Sequence, residues 1–200
     1  MAVADDQHPG AGQPGDTGAG GAGLSLAEWT LLCLVREGPT YGLVLAGLLA
    51  RDGRLGQIWW VSKPTVYLAL KRLEVQGLIR TAEERSSQGP VRTRCEVTRA
   101  GAAAAQAWLD SPVEHPRDVR SELMVKLALH DRTGADASPL VRAQAERLLP
   151  VAAALDDQLR AATGFDRTLL LWRSAATKAT MRFLTDLAGS QPARTRLGRS

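Results

Sequence analysis

The sequence predicts a mainly α protein, with an N-terminal winged helix-turn-helix (three helices plus a β-hairpin wing) followed by a C-terminal helical dimerisation domain. Three observations predict it. Apolar residues recur at helical spacing in three stretches before residue 78, a β-branched run with turn residues follows at once, and two long stripes of near-heptad spacing occupy the last third of the chain.

The first helix is expected from Leu26 to Val35, closed by Gly38-Pro39. Its Leu31-Leu32-Cys33-Leu34-Val35 run is apolar around most of the circumference, so cover on two sides is expected, a second subunit being one source of it. Tyr41, Val44, Leu45, Leu48 and Leu49 keep i, i+3, i+4, i+7, i+8 spacing and predict the apolar face of a second helix. The third runs from Lys63 to Gln76 and stops at Gly77. Val66, Leu70 and Leu73 form its packed stripe, and Pro64, Thr65, Leu68, Lys71 and Arg72 fall on the opposite arc. No acidic residue occurs between Val61 and Leu73, so that arc carries unopposed positive charge where a phosphate backbone can sit.

Leu78-Ile79-Arg80-Thr81 then begins an amphipathic strand, Gln88-Gly89-Pro90 supplies a turn, and Thr93 to Val97 alternates as a return strand. Arg85, Arg92 and Arg94 make this hairpin a basic wing beside the basic helix, with no carboxylate from Arg85 to Cys95. Thr98 fits the N-cap of a helix from about Arg99 through Trp108.

The order of these elements and several strings resemble the PadR family of bacterial transcriptional regulators. The matching residues are Leu26-Ala27-Glu28-Trp29, Gly38-Pro39-Thr40-Tyr41-Gly42, Val66 through Glu74, Gly77-Leu78-Ile79, Gly89-Pro90-Val91-Arg92 and Val97-Thr98-Arg99-Ala100-Gly101. The family pattern usually has Pro at the position of Leu68 and often Gly at that of Pro64. Both departures lie on the outward arc, where they bear on sequence preference and not on fold. The resemblance implies a dimeric winged-helix repressor or activator whose longer members carry a helical C-terminal dimerisation domain. It also brings an effector into view, since members of the wider family respond to phenolic or multidrug-like compounds.

After a short helix from about Ser121 to His130, Val141, Ala145, Leu148, Ala152, Leu155 and Leu159 form one stripe. Leu169, Trp172, Ala176, Ala179, Phe183 and Leu187 form another. Two amphipathic helices joined near Thr163-Gly164 follow, the first bent by Pro150. Each has a narrow apolar seam, so pairing with another copy is expected.

Charge divides along the same lines. Residues 1–23 have three acids and no cation, residues 24–105 have 11 cations against 7 acids, residues 106–188 have 11 of each, and the last twelve residues hold Arg194, Arg196 and Arg199 without an acid. The expected organisation is a disordered Gly/Pro-rich tail at 1–23, a winged-helix DNA-binding domain at 24–110, a helical dimerisation domain at 111–188 and a disordered basic tail at 189–200. The chain shows no signal peptide and no run of roughly 18 apolar residues, so a cytoplasmic protein with no membrane partner is expected.

The expected partner is double-stranded DNA, bound by a homodimer. Lys63, Thr65, Tyr67, Leu68, Lys71 and Arg72 are the candidate contacts on the recognition helix, and Arg85, Arg92 and Arg94 those on the wing. Tyr67 either packs or reaches phosphate with its hydroxyl, Leu68 suits a thymine methyl, and the wing arginines suit a minor groove or phosphate. Trp108 and Met124 are the candidate lining of an effector pocket, although a Trp is more often core than ligand box. A winged helix serving a protein partner instead of DNA remains the alternative.

No catalytic constellation, metal site or cofactor site is expected. Gly18-Ala19-Gly20-Gly21-Ala22-Gly23 satisfies a dinucleotide-binding pattern formally but lacks the preceding strand and following helix that give the pattern its chemistry. Two isolated thiols make neither a disulfide framework nor a metal site. Cys33 reads as buried, and Cys95 beside Arg94 is a candidate for a lowered pKa and redox sensing.

Overall fold

The computed structural model describes residues 23–84 and 92–190. The tail at 1–22, the wing turn with Arg85, and residues 191–200 lie outside the described residues. The elements in chain order are α1 (Leu26–Arg36), β1 (Thr40–Tyr41), α2 (Gly42–Leu49), α3 (Lys63–Val75), β2 (Ile79–Glu84), β3 (Arg92–Val97), α4 (Arg99–Asp110), a 3-10 turn (Pro116–Arg120), α5 (Glu122–Thr133), α6 (Ser138–Ala161) and α7 (Gly164–Ser190). Three helices and a small antiparallel sheet of order β1-β3-β2 make a winged helix-turn-helix, and helices follow it.

α1 starts because Ser25 and Glu28 close a capping box, each side chain bonding the other's backbone N–H. Leu31, Leu32, Cys33, Leu34 and Val35 are all buried. The cover comes from the chain itself: α3, α4, α5 and β3 surround α1. A second subunit is therefore not needed to explain the apolar circumference of this helix. In α2 the buried residues are Gly42, Leu45, Ala46 and Leu49. Val44 faces solvent, contrary to the expected stripe, because the face that meets the core is centred between Leu45 and Leu49 and leaves position 44 to one side.

Thr98 is the N-cap of α4 as its position predicts, accepting from the Gly101 N–H at 3.0 Å. Its hydroxyl also lies 2.8 Å from the Gly77 carbonyl, and its N–H donates to Leu78 at 3.0 Å. The fit there excludes any side chain at Gly101, whose Cβ would stand 2.0 Å from the Leu78 carbonyl oxygen. Thus the end of α3 and the start of the wing are pinned to α4.

Two cores form. The first gathers α1 to α4, the sheet, and Val125 and Leu129 of α5. The second gathers Val113, Val119, Leu123 of α5, Leu140, Val141 and Leu148 of α6, and Leu184 of α7. α5 therefore feeds both. Buried Gln144 ties α6 to the segment leading into the 3-10 turn, accepting from the Val113 N–H at 2.7 Å and donating to its carbonyl at 3.2 Å.

α6 runs through Pro150 to Ala161, and its stripe packs as expected at Val141, Leu148 and Leu155. Most of the predicted stripe of α7 is not on the face turned to α6. Its buried positions are Ser174, Thr177 and Leu184, while Trp172 is 71% exposed and Leu169 and Phe183 are also exposed. The face of α7 turned to α6 is held by polar contacts, with Ser174 Oγ 3.1 Å and Lys178 Nζ 2.9 Å from Asp156. α7 is helical as far as Ser190, two residues beyond the expected start of the tail.

Candidate nucleic-acid interface

α3 begins at Ser62, whose hydroxyl accepts from the Thr65 N–H at 3.4 Å, with Pro64 in the first turn where its missing donor is harmless. Val66, Ala69, Leu70 and Leu73 are buried, and this fixes which arc points outward. Lys63, Thr65, Tyr67, Leu68, Lys71 and Arg72 are all exposed. The Thr65 hydroxyl lies 2.7 Å from that of Ser62 and so serves the cap. Lys63 and Lys71 have no ion pair among the described residues. Arg72 stands 3.6 Å from the buried carboxylate of Glu28, so its charge has a partner that the helix's own sequence does not reveal.

The Tyr67 ring packs on α2. A Cβ at Gly42 would lie 2.8 Å from the ring, so the glycine is what lets α2 and α3 approach there. Beside them Tyr41, Leu43, Lys71 and Arg92 line a cavity of about 660 Å3 between α2, α3 and the wing. Leu43 and Val44 are 64% and 53% exposed and Leu68 is 51% exposed, a measure of apolar surface on this side that the charge pattern alone did not signal.

In the wing, Arg92 is exposed and makes no ion pair among the described residues. Arg94 is different. Its guanidinium lies 2.8 Å from Glu84 and also bonds Glu96. The antiparallel register brings in Glu84, with Ala82 opposite Arg94 and Glu84 opposite Arg92, whereas Glu96 lies two residues along the same strand. The acid-free interval in the sequence is thus met by one acid across the ladder and one just past its end on the same strand. Glu84 holds the Arg94 guanidinium above its ordinary pKa, and the Arg94 hydrogen bond, with one from Tyr41, holds Glu84 below the usual carboxylate range. The Tyr41 hydroxyl is pushed up in turn by its bond to Glu84.

The thiols are both buried. Burial pushes Cys33 up to about 12 and also raises Cys95. The lowered pKa expected for Cys95 from Arg94 is not found, since desolvation dominates and that guanidinium is already engaged by Glu84 and Glu96.

The two candidate effector residues are not brought together. Trp108 is buried in the first core, stacked on Trp29 with centroids 5.6 Å apart, and the Lys126 ammonium sits 4.5 Å over its ring. Lys126 is itself fully buried, with Glu122 at 2.7 Å and the Ser111 carbonyl at 2.9 Å. Met124 lies elsewhere, in a groove of about 960 Å3 whose walls include Pro116, Leu155, Trp172 and Phe183. No group of three or more His, Cys, Asp or Glu residues able to hold a metal occurs among the described residues, and none of their helices is long and apolar enough to cross a membrane.

Residues 31–107 match the family described as the transcriptional regulator PadR-like family. No curated protein matches the chain. Among solved structures, the chain is similar to Bacillus subtilis PadR in complex with operator DNA, at 20% identity over 81% of this chain and 97% of that one, with a TM-score of 0.42. It is also similar to a PadR-like transcriptional regulator from Bacillus cereus, at 18% identity over 82% and 96% of the two chains, with a TM-score of 0.37. A PadR family transcription regulator from Clostridium difficile matches 55% of this chain and all of its own length at 19% identity, with a TM-score of 0.37. Through the domain at 31–107, with its α3, its wing and its Thr98-capped α4, the chain is similar to the PadR-like family of transcriptional regulators.

Proposed function

We propose that this protein is a sequence-specific DNA-binding regulator, a homodimeric repressor acting at a pseudo-palindromic promoter site. The observation that carries the reading is the outward arc of α3, where Lys63, Lys71 and Leu68 stand free beside the Arg92 wing strand in a domain of the PadR-like family. A helix of this size enters a major groove, its cations meet phosphate, and an aliphatic side chain such as Leu68 meets thymine methyls. Two copies of α3 would read half-sites about 34–36 Å apart or somewhat further. Occlusion of the promoter gives repression.

The homodimer is supported by the exposed stripe of α7. Leu169, Trp172 and Phe183 and the groove they share with Met124 and Leu155 form an apolar face that the chain leaves uncovered among its described residues. A small molecule releases such a repressor only by binding the two arrangements of the dimer with different affinity. Met124, with its groove, is the better placed of the two candidate effector residues.

One observation favours a second reading, a winged helix used for protein contact: Leu43, Val44, Leu68 and Val75 expose apolar surface on α2 and α3. A salt-dependent titration against DNA from upstream of the protein's own gene, with a scrambled duplex as competitor, separates the two. Binding that survives the competitor, with a steep slope of log affinity on log salt, supports the regulator. Equal weak binding to both duplexes and to duplexes selected from a random pool would favour a protein partner.

A further inference from the structure

We infer that Tyr41, Glu84 and Arg94 form a polar clamp that fixes the wing's angle over α3, so that Glu84 and Arg94 are positioning residues for DNA binding and not contacts. The inference rests on the DNA-binding reading above.

The wing has little else to hold it. β2 and β3 make a two-stranded ribbon, which by itself twists readily. The third strand, β1, is two residues long and pairs with β3 only at Thr40 opposite Cys95 and Tyr41 opposite Arg94. Outward of Tyr41 the hairpin has no further backbone partner among the described residues. At that last paired position the Tyr41 hydroxyl donates to Glu84 Oε2 at 2.6 Å, and Glu84 Oε1 takes Arg94 Nη1 at 2.8 Å. Arg94 also bonds Glu96, and Glu96 takes Arg80 at 2.8 Å. The chain of charges runs across all three strands and ends on the residue that immediately precedes α2. Through Gly42, α2 touches Tyr67 of α3. A second polar tie joins the Thr81 hydroxyl of β2 to Glu74 of α3.

Glu84 is the last described residue of β2, and its partner across the ladder is Arg92. The clamp therefore grips the ribbon where Arg92 leaves it. Half-exposed ion pairs contribute little to global stability. The Arg94 guanidinium, bridging Glu84 through Nη1 and Glu96 through Nη2, nevertheless restricts direction, which is what a wing aimed at a groove requires.

Charge gives the test its sign. Glu84→Gln removes a negative charge from a face meant for a polyanion, so electrostatics alone predicts tighter DNA binding. The clamp predicts the opposite. The full-length protein, Glu84→Gln, Tyr41→Phe and Arg92→Ala are titrated over a range of salt against a duplex that the wild type selects from a random pool, and their thermal unfolding is recorded alongside. Glu84→Gln is expected to bind roughly tenfold more weakly and Tyr41→Phe several-fold more weakly, both with the wild-type salt slope and melting temperature. Arg92→Ala is expected to lower the magnitude of the slope by about 0.9, the signature of a lost phosphate contact.

A wild type that selects a duplex while Glu84→Gln binds it equally or more tightly overturns the clamp alone. Weaker binding accompanied by a matching fall in melting temperature also overturns it, in favour of a purely structural role. A wild type that selects no duplex overturns the DNA-binding reading and the clamp together.

Discussion

α1 and α7 are both helices with more apolar surface than one neighbour can hide, and they resolve it in opposite ways. α1 buries eight of its eleven residues, enclosed by α3, α4, α5 and β3. α7 has 27 residues, of which Ser174, Thr177 and Leu184 are the buried ones among the described side chains, and it turns its Trp172 stripe away from α6. Apolar periodicity states that a face needs cover; the source of that cover is decided by tertiary contacts. For α1 it is the chain itself. For α7 the stripe stays exposed among the described residues, and burying a side chain of Trp172's size is worth about 2 kcal/mol or more.

The comparison is broken or sharpened most forcefully at Leu31, which is fully buried in α1. Leu31→Ala should lower stability by about 3 kcal/mol in denaturant unfolding, equally at every protein concentration. A loss that shrinks as concentration rises would show that a partner covers α1 after all. Next comes Trp172→Ala, expected to raise the dissociation constant of the proposed dimer roughly thirtyfold in sedimentation equilibrium while leaving the helical circular dichroism unchanged. An unaltered dissociation constant would remove α7 from the interface.

The thiols provide a kinetic measure of the same contrast. With burial pushing its pKa up to about 12, Cys33 should react with a thiol reagent at pH 8 only as fast as the first core opens, whereas a cysteine introduced by Ala175→Cys on exposed α7 should react at once. Rapid modification of native Cys33 would contradict the closed state of α1. The smallest effect is at Asp156, whose carboxyl is held below its ordinary range by Lys178 and then Ser174. A depressed carboxylate adds stability above its unfolded pKa of about 3.9 and loses it as pH falls through the folded value. Asp156→Asn should therefore melt slightly below wild type at pH 7, and the gap should close in acid below about pH 3.9. A gap that persists there would assign the effect to packing.

What the sequence made legible was local. The α3 stripe of Val66, Leu70 and Leu73, the stop at Gly77, the Thr98 cap and the strand at Thr93 to Val97 all follow from neighbours within a few residues, and the fold follows from their order. The outward arc of α3 was legible for the same reason. Arg94 was misleading because its partner Glu84 is set by strand register, and the tether from Tyr41 to Glu84 spans 43 residues. Arg72 likewise meets Glu28 from the start of α1. In α7 the stripe itself was read correctly. Which way it faced was not, because Ser174 and Lys178 find Asp156 across the hairpin and turn the polar side inward.

α5 has one consequence of its own. It inserts Val125 and Leu129 into one core and Leu123 into the other, and its far end is bolted to the first by Arg132 on Glu37 at 2.7 Å and Arg54 on Asp131 at 2.9 Å. A helix so shared packs directly into both cores, so a shift of one core is felt by the other. Any turn of the α6–α7 hairpin about its neighbour would be delivered to the base of α1 and from there to α3. In the proposed dimer, the spacing at which two copies of α3 reach for DNA would thus depend on how their hairpins meet.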